Sequence, residues 1–123
     1  MGARNILRLF SEGIKGDRAS VTQTTNRTTA VVINAMSGTI TTDDASLAAG
    51  ARATFTVTNG KVASGDVVAI NHAGAQPADG TVKISVSDIA DGSFKINVDN
   101  PHASSATTAV YVLNFVVLGG SPA

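Results

Sequence analysis

The feature that most constrains the fold is the C-terminal stretch of residues 104–118, which reads SSATTAVYVLNFVVL. From Ala109 onward it is almost wholly apolar, yet it is far shorter than the about 20 residues that a membrane-spanning helix needs. Its richness in Val, Tyr, Phe and Leu is typical of a β-strand. One face would carry Tyr111, Leu113, Phe115 and Val117, and the other would carry Val110, Val112, Val116 and Leu118, with Asn114 between them. A strand that is apolar on both faces is covered on both. The stretch is therefore predicted either to be central in a two-layered β domain or to be covered by a second subunit.

The rest of the chain after residue 19 shows alternation with a period of two. The clearest case is the segment 51–58, in which Ala51, Ala53, Phe55 and Val57 alternate with Arg52 and three threonines before Asn59-Gly60 ends the strand. Shorter strands are predicted at residues 30–34, 39–42 and 66–72. Residues 82–87 and 94–99 also alternate and predict a hairpin, whose five-residue connection 88–92 has a glycine at Gly92 where a positive φ is expected.

About seven short strands separated by frequent turns predict an all-β fold, an antiparallel β-sandwich or a jelly-roll-like domain. At 123 residues the chain has the length of one domain. We predict that the β-sandwich domain spans residues 19–123 and that residues 1–18 form a separate N-terminal docking arm, extended or short-helical.

The arm differs from the rest of the chain in its pattern. Ile6, Phe10 and Ile14 are spaced four residues apart, which predicts a short amphipathic helix. An isolated helix this short is marginal in water, so we expect the arm to become ordered against a partner. The residues predicted to bind that partner are Arg4, Ile6, Leu7, Arg8, Leu9, Phe10, Ile14, Lys15 and Arg18. A helix lying on a membrane surface is the alternative, and Glu12 and the shortness of the segment oppose it.

The charge distribution agrees with a docking arm. Residues 1–27 hold five basic and two acidic residues, a net charge of +3, whereas residues 28–123 hold four basic and seven acidic residues, a net charge of −3. The net charge of the whole chain is zero, so no global field gathers nucleic acid, and the basic residues are not interleaved with aromatic ones. The apolar patch 6–10 is interrupted by Arg8 and does not resemble an export signal. The absence of cysteine excludes disulfides and thiolate metal sites. We therefore expect a protein that stays in the cytoplasm of the cell that makes it, with no membrane and no nucleic-acid partner.

Chemistry-bearing residues are few and scattered. His72 follows a predicted strand and His102 lies in a predicted loop, so both are interpreted as surface residues. Asp43 and Asp44 could hold a hard cation with Asp66 or Asp91, but the chain has no calcium-loop pattern, and solvated loop carboxylates are the simpler interpretation. We expect no enzymatic activity, no metal and no cofactor.

Several segments resemble a group of small virion proteins of tailed bacteriophages, some of which are capsid decoration, or cement, proteins. The resemblance covers residues 20–118 and depends on the ordered segments SVTQTTNRTTAVVIN, GTITTDDASLAAGARATFTVTN, DVVAIN, GSFKINV and VLNFVVL. It implies a protein that binds the outside of the major capsid protein lattice and stabilises the head, with the major capsid protein and other copies of itself (a dimer or trimer) as partners. It also implies a location on the capsid exterior after assembly in the host cytoplasm. The resemblance implies no catalytic residue and does not include the arm.

Two other functions are compatible with a stiff β domain. A head-fibre or tail-associated virion module would use its loops to bind the host surface. A carbohydrate-binding domain is disfavoured because the chain has no Trp and a single Tyr, whereas sugar platforms generally use aromatic faces.

Overall fold

The protein is a β-sandwich of two four-stranded sheets, as the sequence predicts. The computed structural model describes residues 17–74 and 82–119, and these ranges contain strands and loops but no helix. The strands are β1 (Arg18–Thr22), β2 (Val31–Val32), β3 (Ser37–Thr41), β4 (Arg52–Thr58), β5 (Val67–His72), β6 (Lys83–Ala90), β7 (Ser93–Asp99) and β8 (Val112–Leu118). Sheet A has the order β1-β3-β8-β5, and sheet B has the order β2-β4-β7-β6.

Both sheets are mixed, whereas the sequence suggested purely antiparallel ones. β1 pairs with β3 in parallel, and β2 pairs with β4 in parallel, while the remaining pairs are antiparallel. The reason is that the chain crosses to the other sheet between the two strands of each parallel pair and returns running in its original direction. Only β6 and β7 follow each other within one sheet.

The core lies between the sheets and is built from the inward-facing residues of every central strand. Phe55 of β4, Phe94 and Ile96 of β7, and Leu113 and Phe115 of β8 are buried. The rings of Phe94 and Phe115 come from opposite sheets, and their centroids are 5.7 Å apart in a tilted arrangement. Such aromatic pairs stabilise a fold beyond the effect of the apolar area that they bury, because the two rings prefer particular relative orientations.

β8 occupies a central position in sheet A, between β3 and β5. Its inward residues Leu113, Phe115 and Val117 are buried, as is Tyr111, which precedes the strand. The opposite face is not covered by any described residue: Val112 and Val116 are half-buried and Leu118 is exposed. Among the described residues, the expected cover is therefore present on one face only. Residues 104–111, which the sequence grouped with the strand, lie before it. Their strand pairing is limited to an isolated bridge between Thr107 and Leu47, although Tyr111 contributes its side chain to the core.

A glycine in β3, Gly38, permits close packing of β3 against Phe115 of β8 and against the edge strand β1. Gly38 pairs with Phe115, and a Cβ atom at Gly38 would lie only 2.7 Å from both Cδ1 of Ile33 and the carbonyl oxygen of Ala19. A side chain here would push apart the aromatic ring and the neighbouring edge strand. The position therefore requires glycine, although glycine in a strand interior is otherwise destabilising.

The hairpin predicted at residues 82–99 is present as β6 and β7, with a tighter turn than expected. Ala90 pairs with Ser93, so the connection is the two-residue turn Asp91-Gly92 rather than five residues. Gly92 has the expected positive φ, +85°. The strand continues past Ser87 because a bulge, with Asp88 at φ 53°, restores the pairing before the turn.

The predicted arm lies almost wholly outside the described residues, which begin at Asp17. This applies to eight of the nine predicted partner-binding residues: Arg4, Ile6, Leu7, Arg8, Leu9, Phe10, Ile14 and Lys15. The ninth, Arg18, is the first residue of β1.

Candidate functional site

The outer face of sheet B is polar, and its side chains bind one another. Thr54 donates a hydrogen bond to Oδ1 of Asn97 at 2.7 Å, and Nδ2 of Asn97 donates to Ser87 at 3.0 Å on the neighbouring strand. The Arg52 guanidinium donates two hydrogen bonds to the Asp99 carboxylate and holds the pKa of that carboxyl below its ordinary value. This face is a self-contained polar surface and offers little to a partner.

The outer face of sheet A is different, because apolar side chains dominate the half formed by β5 and β8. The pairing of these strands sets Val67 opposite Leu118, Ala69 opposite Val116 and Asn71 opposite Asn114. Val67 is 55% exposed and Leu118 is 39% exposed. We call this surface the apolar strip; it comprises Val67, Ala69, Asn71, Val112, Asn114, Val116 and Leu118. It contains no charged residue.

Arg18 marks the border of the strip on the side of β1. Its Nη2 donates a hydrogen bond to Oγ1 of Thr39 at 2.9 Å, and Thr39 in turn donates to Oδ1 of Asn114 at 2.7 Å. The Arg18 side chain therefore extends across β3 towards β8 instead of projecting with the arm. A shallow depression of about 360 Å³ lies between this side chain and β5. Its lining residues are Arg18, Ser37, Ala69, Ile70, Asn71, Asn114, Phe115 and Val116.

The strip borders the least protected of the four described sheet edges. Exposed edge strands are usually shielded by charged residues, proline, bulges or shortness. β6 has Lys83 and a bulge, β2 is only two residues long, and β1 begins with Arg18. β5, with the sequence VVAINH, has none of these features. An apolar face next to such an edge is typical of a protein-binding surface.

The two histidines do not form a reactive site with the described residues around them. The His72 ring packs edge-on against Tyr111, with centroids 5.3 Å apart. Its Nε2 has no hydrogen-bond partner within the described ranges, which break off just after it at residue 74. Nδ1 of His102 accepts hydrogen bonds from the backbone N–H groups of Ser104 and Ser105 and so fixes a loop.

Three of the four loop carboxylates considered as cation ligands accept backbone hydrogen bonds instead. Asp43 accepts a hydrogen bond from the N–H of Ala45, Asp66 from that of Ala63 and Asp91 from that of Ser64. Within residues 17–74 and 82–119, no three His, Cys, Asp or Glu residues lie close enough together to hold a metal ion. Those same ranges contain no helix that is long and apolar enough to cross a membrane.

The structure also reveals a buried cation that the sequence pattern did not indicate. Arg27 is 4% exposed, and it donates hydrogen bonds to the carbonyl oxygens of Ala45 and Ala109, the latter at 2.7 Å. Its guanidinium carbon lies 5.5 Å from the centre of the Tyr111 ring. Burial lowers the pKa of Arg27, an effect opposed by Tyr111 and the nearby loop carboxylates. Arg27 therefore belongs to the body of the protein and not to a basic arm, so the arm's surplus of positive charge is smaller than the sequence suggested.

Comparisons with known proteins leave the function to be inferred from this geometry. No model of a protein family matches the chain. Neither the curated proteins nor the solved structures yield a match.

Proposed function

We propose that the protein is a bacteriophage capsid decoration protein that binds the outside of the major capsid protein lattice and stabilises the head. The observation that carries the proposal is the contrast between the two outer faces of the sandwich. Sheet B presents side chains that bind one another, whereas sheet A presents an uncharged apolar strip beside an unprotected edge. A β-sandwich with one such face is suited to binding other protein subunits through that face. The resemblance of residues 20–118 to virion proteins suggests that these subunits belong to a capsid.

The N-terminal segment is the second element of the proposed attachment. Its apolar residues Ile6, Phe10 and Ile14 are spaced for one face of a short helix. Arg4, Arg8 and Lys15 give it a positive charge suited to acidic groups on the capsid or on an adjacent subunit. Arg18, which the sequence assigned to the arm, lies in β1 and is proposed to form the border of the apolar strip instead. The partners are the major capsid protein and other copies of this chain, the location is the capsid exterior after assembly in the host cytoplasm, and no catalytic residue is involved.

The copy number on purified particles tests the proposal. A decoration protein should be present in numbers comparable with the major capsid protein, and band intensities on a denaturing gel measure this ratio. A few copies per particle would contradict the proposal and favour the head-fibre or tail-associated module.

Rebinding to particles stripped of the protein tests the surface. Val67→Glu should weaken rebinding because it places a charge in the apolar strip. Val32→Glu is the matched control, since Val32 is 60% exposed on the outer face of sheet B. Equal rebinding of the two variants would contradict a role for the strip.

A further inference from the structure

The apolar strip lacks an occupant within the described residues, and the chain itself contains a segment suited to it. We propose that the strip binds the N-terminal segment, residues 1–16, of a second copy of this chain. The inference rests on the proposed function, in which the N-terminal segment is a docking element. It adds that the segment binds a neighbouring copy of this chain rather than the capsid protein.

The segment is long enough to span the strip. The described chain begins at Asp17, whose carboxylate accepts a hydrogen bond from the N–H of Met36 at 3.0 Å, beside the first residue of β3. Sixteen residues lie before it. Fully extended they would span about 50 Å, and a ten-residue helix would be about 15 Å long. The distance across sheet A from β1 to β5 is three strand spacings, about 14 Å. The segment can therefore cover the strip.

The position of Arg18 favours a second copy over the chain's own segment. The segment starts at the β1 edge, whereas the strip lies on β5 and β8 at the other side of the sheet. The Arg18 side chain lies across the direct route between them, bound to Thr39 and within 3.5 Å of Oδ1 of Asn114. A segment from a neighbouring subunit can approach the strip from the side of β5 without displacing these hydrogen bonds.

The chemistry of the two surfaces is complementary. The segment offers five large apolar residues, Ile6, Leu7, Leu9, Phe10 and Ile14, to a strip without charge. In a helix, residues four apart recur about every 6 Å, and outward residues of a strand recur about every 6.8 Å, so the two apolar rows match in spacing. Residues 1–16 hold three basic residues and one acidic residue, a net charge of +2, whereas residues 17–123 hold six basic and eight acidic residues, a net charge of −2. The opposite charges of segment and body favour their association.

The absence of cysteine from the chain allows a direct test by disulfide trapping. One preparation of the full chain carries Phe10→Cys, and a second, with a different tag, carries Ala69→Cys in the strip. The two are mixed without particles and oxidised. We expect mixed disulfide dimers to form roughly tenfold faster or more than with Val32→Cys in place of Ala69→Cys, because a bound segment raises the local thiol concentration. Val32 and Ala69 are both exposed strand residues, so a thiol at either position is accessible to solvent.

Two results would overturn the inference. Equal rates with Ala69→Cys and Val32→Cys would mean that the segment does not bind the strip. If a single chain carrying both Phe10→Cys and Ala69→Cys closes an internal disulfide at high dilution while the mixture forms no mixed dimers, the segment covers its own subunit. Neither result depends on the capsid, whereas a low copy number on particles would contradict the decoration role and leave the trapping result standing.

Discussion

At the scale of single residues, Arg27 shows how a charge can be buried without a carboxylate in direct contact. Two backbone carbonyls accept hydrogen bonds from its guanidinium, and the Tyr111 ring lies 5.5 Å from it. The carbonyls belong to Ala45 and Ala109, which are far apart in the sequence. Arg27 therefore ties its own loop to the connecting segments that hold Ala45 and Ala109, two segments that are also joined by the bridge between Leu47 and Thr107.

Arg27→Met should destabilise the fold by about 2–4 kcal/mol, because each hydrogen bond from a charged donor contributes about 1.5–3 kcal/mol and removal of the buried charge offsets part of this loss. Chemical denaturation of the isolated protein measures the change. Arg52→Met is the control, since it removes a cation of the same size from the exposed Arg52–Asp99 pair and should have a much smaller effect. If Arg27→Met and the native protein had equal free energies of unfolding, the buried cation would contribute nothing to the stability of the fold.

At the scale of elements, β8 combines two faces with different roles. Phe115 is 3% exposed and packs between Gly38 and Phe94, whereas Val116, the next residue, lies on the half-exposed outer face. The inner face stabilises the subunit, and the outer face contributes to the apolar strip.

Phe115→Ala should cost about 3–5 kcal/mol of unfolding free energy, as large-to-small changes in a core do. Val116→Ala, one residue away on the other face, is the matched control and should change the free energy of unfolding only slightly. Thermal melts of the free subunit distinguish the two variants. A shift of only a degree or so for Phe115→Ala would contradict the central place of β8 in the core.

The sequence predicted those elements whose pattern alternates over several residues. The inward faces of β4, β6, β7 and β8 follow from this alternation, and Gly92 marked the hairpin turn. β1 is not among the predicted strands, because serine and threonine suit exposed strands and loops alike, and the two-residue β2 lies within a longer predicted strand at residues 30–34. The parallel pairing at the sheet edges depends on the path of the chain between sheets, which periodicity does not report. The apolar strip was visible as the second face of residues 110–118 but was interpreted as covered, because a sequence pattern does not say how many layers a domain has.

At the scale of the whole molecule, Asp17 is already part of the described β-sandwich. β1 begins at Arg18, and Asp17 accepts hydrogen bonds from Met36 and Ser37 that fix the start of the strand beside β3. A truncation intended to remove the arm should therefore end at Gly16 and not at Arg18.

Deletion of residues 1–16 should leave a folded, soluble subunit with a nearly unchanged melting temperature, because residues 31–117 supply a buried apolar core between the two sheets. The shortened protein should no longer remain on the particle, which cosedimentation measures. In the full chain, reversing the charges of Arg4 and Arg8 should weaken attachment more at low salt than at high salt, since salt screens exposed charge pairs. Unfolding of the truncated protein in dilute solution, with the full chain stable, would mean that the segment covers its own sheet.

The position of β8 also determines when the protein can fold during its synthesis. β8 is made after the other seven strands, yet it is the only strand that joins β5 to the β1–β3 pair. The strands of sheet B can pair as soon as Asp99 has left the ribosome. Until β8 is made, however, the Phe94 ring on the inner face of sheet B lacks its packing partner, Phe115 of the opposite sheet. Contacts between residues distant in sequence slow folding and leave apolar surface exposed in the meantime. The nascent chain is therefore most exposed to aggregation between the synthesis of β7 and that of β8, and the two sheets can close over the core only after residue 118 emerges.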